Sequence, residues 1–209
     1  MFVKDGIRNE KDALTPTGNR RSFDALHYEV TLHGVNGSGK TMLLRMIAGL
    51  ITPTAGRVYY NDKILHEDIS FPKDVGIVIE HMEMLPGYSG YENLLLLSKI
   101  KKIAGSEDIL LALKRVGLSG VENIKVKKYS LGMKQRLNIA QAIFEKQKII
   151  LLDEPTNALD EEGVEQIYDV ISDEKKRGAT IVIATHHKTD LERMCDVTLK
   201  MENGYLIEC

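Results

Sequence analysis

The chain has 209 residues, long enough for one substantial core with a small inserted lobe, and a formal net charge of −2 that argues against non-specific nucleic-acid binding as its main activity. Cys195 and Cys209 lie far apart and outside any metal-ligand spacing, so they read as reduced thiols. No apolar run approaches the ~20 residues of a membrane span and the N-terminus has no signal-peptide core, so a soluble chain is expected, with any membrane role supplied by a partner.

Residues 1–27 are polar and turn-rich, with a loop expected around Pro16 and Gly18. A short strand is expected over Tyr28–His33. It leads into Gly34-Val35-Asn36-Gly37-Ser38-Gly39-Lys40-Thr41, which reads G-x-x-x-x-G-K-T, the phosphate-binding P-loop. Glycines let such a loop curl and aim consecutive backbone N–H groups at one anion. The apolar run from Met42 to Ala48 reads as a helix whose positive end faces the same point. Lys40 offers a mobile charge to the phosphates and Thr41 a hydroxyl to Mg²⁺.

Thr52–Gly56 breaks that helix, Arg57–Tyr60 is β-rich and ends in an Asn61-Asp62 turn, and Val75–Ile79 has a buried-strand pattern. From Ser89 the pattern turns helical. Ser89 and Glu92 have capping-box spacing, and Leu94, Leu97, Ile100 and Ile103 mark a stripe expected to form the core of a helical lobe. A second helix opens at Ser106 and ends near Gly117, and a third runs from about Gly132 to Lys146. Lys148–Asp153 and Ala179–Ala184 are apolar runs typical of parallel strands covered on both faces. A crossover helix over Glu161–Arg177 lies between them and is closed by Gly178, while Asn203-Gly204 near the C-terminus signals a hairpin.

Two further motifs narrow the P-loop's meaning. A buried strand ending in Asp153 places a carboxylate where Mg²⁺ would sit, and the adjacent Glu154 can act as general base toward a water. Tyr129-Ser130-Leu131-Gly132-Met133 sets Ser130 and Gly132 at a helix N-terminus, a second anion-binding end.

With these residues the chain resembles the ATP-binding-cassette (ABC) ATPase subunits from about Tyr28 onward. GVNGSGKT matches their Walker A motif, ILLDEPT their Walker B motif with its catalytic glutamate, and Asn157–Asp160 their D-loop. Thr185-His186 resembles their switch histidine; His187 competes for that role, but His186 fits the family spacing better. The resemblance implies an α/β P-loop NTPase (RecA-like) fold: a mostly parallel sheet flanked by helices, an inserted helical subdomain and a reduced N-terminal antiparallel β part. It divides one ABC domain over 1–209 into a divergent stretch (1–27), a nucleotide-binding core (28–83 and 147–209) and a helical subdomain (84–146).

The resemblance also implies function: an ATP-hydrolysing transporter subunit, an exporter, on the inner face of the cell membrane. Its cofactors are ATP and Mg²⁺. Its partners are an integral-membrane permease and a second ATPase subunit, expected as a homodimer, with no specific nucleic acid. Glu154 and His186 would be catalytic. Gly34, Asn36, Gly37, Ser38, Gly39, Lys40, Thr41, Ser130, Gly132 and Asp160 would bind nucleotide, with Ser130 and Gly132 serving the partner's ATP. Thr41, Asp153 and Glu80 would serve the metal. The alternatives are a soluble ABC ATPase of translation or DNA maintenance, and a nucleotide-binding member impaired in catalysis.

The sequence departs from the family pattern in three places. The signature LSGGQ reads YSLGM, and Glu80 stands where a glutamine is usual; both changes resemble the bacitracin- and lantibiotic-type peptide resistance branch. The apolar segment Met82, Met84, Leu85, Tyr88 and Tyr91 is expected either to cap the helical lobe or to form a docking groove for a permease helix. The start of the chain is anomalous, because the turn and most of the strand that should precede the P-loop read as missing. Phe2, Phe23 and Tyr28 are the candidates for stacking on adenine.

Overall fold

The computed structural model describes residues 2–4, 29–79, 82–187 and 196–208, with 2–4 and 208 described by backbone alone. The apolar runs form the centre of a six-stranded sheet among these residues: β5 (Val75–Val78), β6 (Ile149–Asp153), β7 (Thr180–Thr185), β2 (Glu29–His33), β8 (Val197–Glu202) and β9 (Tyr205–Glu208), in that spatial order. The first five are parallel and β9 returns antiparallel to β8 through the Asn203-Gly204 turn. Asn203 and Gly204 both have positive φ, the geometry that makes Asn-Gly a tight hairpin connection.

Alternation along the strands builds two cores. Val30, Leu32, Leu151, Val182 and Ala184 face α1 (Lys40–Ile47) and the strand β3 (Arg57–Tyr60). Ile150, Leu152, Ile181 and Ile183 face the other way, into a cluster shared with α2 (Gly90–Lys101), α3 (Ser106–Arg115), α4 (Leu131–Ile143) and α5 (Glu161–Lys176). A strand buried on both sides needs apolar residues at every position, which is why β6 and β7 read as unbroken apolar runs.

β2 departs from that rule, and it corrects the expectation of a strand cut short before the P-loop. It runs five residues and pairs along its length with β7, from Glu29↔Ile181 to His33↔Thr185, and with β8 from Val30 to His33. Its α5-facing positions are Glu29, Thr31 and His33, so its pattern is that of a half-exposed strand although Glu29 and Thr31 are buried. The strand forms where one was expected, over Tyr28–His33, but its polar residues concealed that it is a covered, fully paired member of the sheet. The charge is met from α5: Lys175 Nζ lies 3.7 Å from Glu29 Oε2 and 2.7 Å from Asp196 Oδ1, while Asp196 accepts from the Glu29 N–H at 3.0 Å.

The antiparallel part is also larger than the sequence suggests. β1 (Phe2–Lys4) pairs with β3 from Phe2↔Tyr59 to Lys4↔Arg57, and β3 pairs with β4 (Lys63–Ile64), giving a three-stranded sheet among the described residues. Phe23 and Tyr28 lie outside the described residues, and Phe2 is placed by backbone only.

In α2 the capping box forms as expected: Ser89 Oγ accepts from the Glu92 N–H at 3.2 Å, and the Glu92 carboxylate accepts from the Ser89 N–H at 2.7 Å. The expected apolar stripe does not hold. Leu94 is fully buried, but Ile100 and Ile103 are 76% and 60% exposed; Asn93 and Ser98 take the buried positions instead. Asn93 is satisfied there by Leu85 and Ser89, receiving the Leu85 N–H at 2.8 Å and donating to the Ser89 carbonyl at 2.8 Å. A helix face can be buried without being apolar when its polar groups are all bonded.

Candidate nucleotide site

Parallel register brings three strand ends to one level, with His33 opposite Thr185 and Asp153 opposite Ala184. Ligand sites of open α/β sheets lie beyond such carboxyl ends. β2 delivers the P-loop, β6 delivers Asp153 and Glu154, and β7 delivers Thr185, His186 and His187.

The loop's shape follows from its glycines. Gly37 and Gly39 have φ of 81° and 106°, a region costly for residues with a Cβ. Gly34 answers to space: a Cβ there would lie 2.2 Å from the Met201 carbonyl oxygen on β8. The loop is also tied to the hairpin, where the Gly204 N–H donates to the Ser38 carbonyl at 3.0 Å. α1 starts at Lys40, so the N–H groups of its first turn have no acceptor within the helix and face the ligand side.

The side chains converge. Lys40 is buried and donates to the carbonyls of Gly34 at 2.6 Å and Val35 at 3.3 Å; its Nζ is 4.0 Å from Glu154 Oε1. The Thr41 hydroxyl donates to Asp153 Oδ2 at 2.6 Å. His186 Nδ1 lies 2.7 Å from Glu154 Oε1, and the Thr185 hydroxyl donates to Glu154 Oε2 at 3.5 Å. His187 Nε2 instead meets Asn157 Oδ1 at 3.1 Å.

Glu154 itself has φ of 49°, unusual for a residue with a Cβ. Its backbone is clamped: the N–H donates to the Ala184 carbonyl at 2.8 Å, and Gln135 Nε2 donates to the carbonyls of Glu154 at 3.3 Å and Pro155 at 3.2 Å. Over-determination of this kind is what holds a strained residue at a reactive position. Sequence reasoning missed Gln135, and it placed Asn157 in the D-loop without its contact to His187. For Gln135 a signal existed, since it lies one helical turn after Leu131 and both face the cleft.

That cleft has a volume of about 960 Å³ and is lined by Asn36 to Thr41, Asp153, Glu154 and Gln135, with Met82 and Met84 on an apolar wall. Four expected nucleotide ligands are not among its lining: Gly34, which sits against the Met201 carbonyl of β8, and Ser130, Gly132 and Asp160. Ser130 is exposed and caps α4, its Oγ accepting from the Met133 N–H at 3.1 Å. Gly132 lies under the D-loop, where a Cβ would come 2.9 Å from the Ala158 carbonyl oxygen. Asp160 caps α5 by accepting from the Gly163 N–H at 3.0 Å, with Arg136 3.5 Å away. Glu80 lies outside the described residues.

The residues present suit a magnesium triphosphate. The Ser38 hydroxyl is buried with no hydrogen-bond partner among the described residues, in the curl where a phosphate oxygen would lie. The Thr41–Asp153 pair supplies the hard oxygen donors that Mg²⁺ requires.

The sequence profile described as ABC transporter matches residues 26–157. The uncharacterized ABC transporter ATP-binding protein YybJ of Bacillus subtilis (strain 168) is 59% identical over 175 residues, covering 84% of this chain and 80% of that protein. The lantibiotic transport ATP-binding protein SrtF of Streptococcus pyogenes is 33% identical, covering 84% and 76%. The bacitracin transport ATP-binding protein BcrA of Enterococcus faecalis is 37% identical, covering 85% of this chain but 58% of that protein. In three dimensions the chain superimposes on a solved bacterial ABC transporter cassette, described as dimeric, with a TM-score of 0.83 and 26% identity, over 98% of this chain and 95% of that one. No helix among the described residues is long and apolar enough to cross a membrane. The chain belongs to the ABC transporter family, as one of its ATP-binding proteins.

Proposed function

We propose that this chain is the ATP-hydrolysing motor of an exporter, and that Glu154 and His186 carry the chemistry. The observation that carries this reading is the 2.7 Å contact between His186 Nδ1 and Glu154 Oε1, formed beside the P-loop lysine at the carboxyl ends of neighbouring strands. Glu154 takes a proton from the water that attacks the terminal phosphorus, and His186 orients the carboxylate. Lys40 and the N–H groups at the start of α1 bind the phosphate oxygens, with the Ser38 hydroxyl beside them. Thr41 and Asp153 would hold Mg²⁺, which when bound neutralises charge on the phosphates.

Ser130, Gly132 and Asp160 lie outside the chain's own cleft, which supports an assembly in which they serve the ATP of a second copy. Such an assembly is a two-fold dimer. Met82 and Met84 on the cleft wall, with Leu85 and Tyr88 exposed beside them, support docking of a membrane permease at the cytoplasmic face. The names of SrtF and BcrA support an antimicrobial peptide as the exported substrate.

The test is phosphate release by the purified chain and by Glu154→Gln. Loss of a positioned general base lowers turnover by roughly 10²–10⁴-fold. ATP affinity should stay within a few-fold, because no phosphate-binding group is altered. A Glu154→Gln variant that turns over at the wild-type rate removes Glu154 from the mechanism.

A further inference from the structure

His187 stands outside the hydrolytic assignment, yet it completes a second constellation. The carboxylate of Glu154 and the rings of His186 and His187 each offer one ligand atom, and these atoms lie within 4.8 Å of one another. The two rings are 4.0 Å apart between centroids and tilted by 36°. Three nitrogen and oxygen donors converging from two paired strands form the set that Zn²⁺ accepts, with a fourth position left to water. The hard, octahedral Mg²⁺ is not drawn to imidazole, so this set is distinct from the Thr41–Asp153 pair.

We propose that Glu154, His186 and His187 form an inhibitory binding site for a borderline-soft divalent cation of the Zn²⁺ class. The backbone is already in place. Glu154 is fixed by its N–H bond to Ala184, and the His187 N–H donates to the Thr185 hydroxyl at 3.0 Å. Ligand atoms on a tetrahedral Zn²⁺ are roughly 3.4 Å apart, from bonds of about 2.0–2.1 Å, so side-chain rotation alone gathers the three. Rotation gives up the His187–Asn157 contact at 3.1 Å and the direct His186–Glu154 contact at 2.7 Å. The Lys40 ammonium, 4.0 Å from Glu154 Oε1, opposes the cation, which limits affinity below that of a structural zinc site.

The consequence rests on the proposed function. A cation on Glu154 and His186 occupies the base and its orienting group, whereas Lys40, Thr41 and Asp153 lie outside its ligand set. Zinc should therefore stop hydrolysis and leave ATP binding intact.

Two readouts separate the site from its consequence. The first is Co²⁺ and Zn²⁺ titration of the full chain without nucleotide. Expected is one ion per chain, a visible Co²⁺ spectrum of four-coordinate type and no thiolate-to-cobalt band in the near ultraviolet, which keeps Cys195 and Cys209 out of the site. His187→Ala should weaken binding at least tenfold, in the range of 10–100-fold for disturbed metal sites. His187→Cys should restore binding and add the thiolate band, showing that the loss is one of ligation and not of folding. The second readout is ATPase rate at buffered free Zn²⁺, with His187→Ala resisting inhibition by the same factor. Absence of binding, equal binding by His187→Ala, or a thiolate band in the wild type overturns the site. Binding without inhibition of an active enzyme overturns the inhibitory role. A chain that binds zinc but never hydrolyses ATP overturns the proposed function and leaves the site standing.

Discussion

The Thr41 hydroxyl donates to the Asp153 carboxylate at 2.6 Å across 112 residues of sequence, joining the P-loop helix to the end of β6. In the proposed function the pair would hold the two metal-binding oxygens in register. Thr41→Val removes the hydroxyl and keeps the shape, and Asp153→Asn removes the charge. Both should abolish the gain in ATP affinity that Mg²⁺ brings, while affinity measured in EDTA stays close to wild type. For Thr41→Val the expected loss is roughly 10–100-fold in Mg²⁺ affinity. A fluorescent ATP analogue titrated with and without Mg²⁺ gives the answer, and an unchanged Mg²⁺ effect in both variants would remove the pair from the metal site.

Two glycines of the same loop should respond differently to alanine. At Gly37 the cost is backbone strain alone, since φ is 81° and no heavy atom lies within 4 Å of an added Cβ; ~1–2 kcal/mol is expected. At Gly34 the new methyl would lie 2.2 Å from the Met201 carbonyl oxygen and 2.7 Å from Ser38 Oγ, so the loop must move off β8. Overpacking of this kind costs about 1–3 kcal/mol or more. It should also lower ATP affinity, which Gly37→Ala affects less. Urea unfolding and nucleotide titration of the two variants give the comparison. Equal behaviour would show that the loop does not rest on the hairpin.

How far the sequence could be read depended on how local each signal is. The P-loop and Asp153-Glu154 are contiguous motifs, and the cap Ser89 acts on an N–H group three residues ahead, so all were visible in one dimension. The strand over Tyr28–His33 was legible too, but its place inside the sheet was not, because Glu29, Thr31 and His33 give β2 the pattern of a half-exposed strand while Lys175 comes from another part of the chain. Ile100 and Ile103 misled for the opposite reason. Ile100 continues an apolar spacing on α2 and Ile103 extends it past the helix end, but among the described residues both are exposed. The spacing of Gln135 from Leu131 indicates only the face it lies on; its bonds to the Glu154 and Pro155 carbonyls and the left-handed backbone of Glu154 are products of tertiary packing.

Ser130 offers a test of the two-copy assembly that spares the chain's own cleft. Its side chain is exposed and caps α4 by accepting from the Met133 N–H, so Ser130→Arg should destabilise the chain by about 0.5–2 kcal/mol. ATP binding by the monomer should be unaffected. In a Glu154→Gln background ATP should drive the chain into dimers on size-exclusion chromatography with light scattering, and adding Ser130→Arg should keep it monomeric. A dimer of undiminished stability in the double variant would place Ser130 outside the interface.

Glu29 makes the fold sensitive to pH. Burial pushes its carboxyl from 4.5 up to about 7, only partly offset by Lys175. Asp196 goes the other way: burial raises it, but its hydrogen bonds from Lys175 and the Glu29 N–H prevail and hold it below its ordinary value. The shared lysine therefore serves Asp196, and Glu29 is the member that takes up a proton. A carboxyl whose value is raised on folding binds more protons in the folded state, so its contribution is fully present below pH 4.5 and is lost as pH rises through 7. The lowered groups Asp196, Glu92 and Asp108 act below that window, where their loss on acidification destabilises the fold. Between pH 5 and 7.5 the Glu29 effect is of the order of 2 kcal/mol in favour of the lower pH. Glu29→Gln holds a neutral group of the same shape in the strand and should flatten the dependence, making the variant more stable than wild type at pH 7.5 and close to it at pH 5. Urea midpoints at the two pH values measure this directly. If the wild type loses no stability across that interval, or the Glu29→Gln variant loses as much, the buried carboxyl is charged throughout and Lys175 satisfies both acids at once.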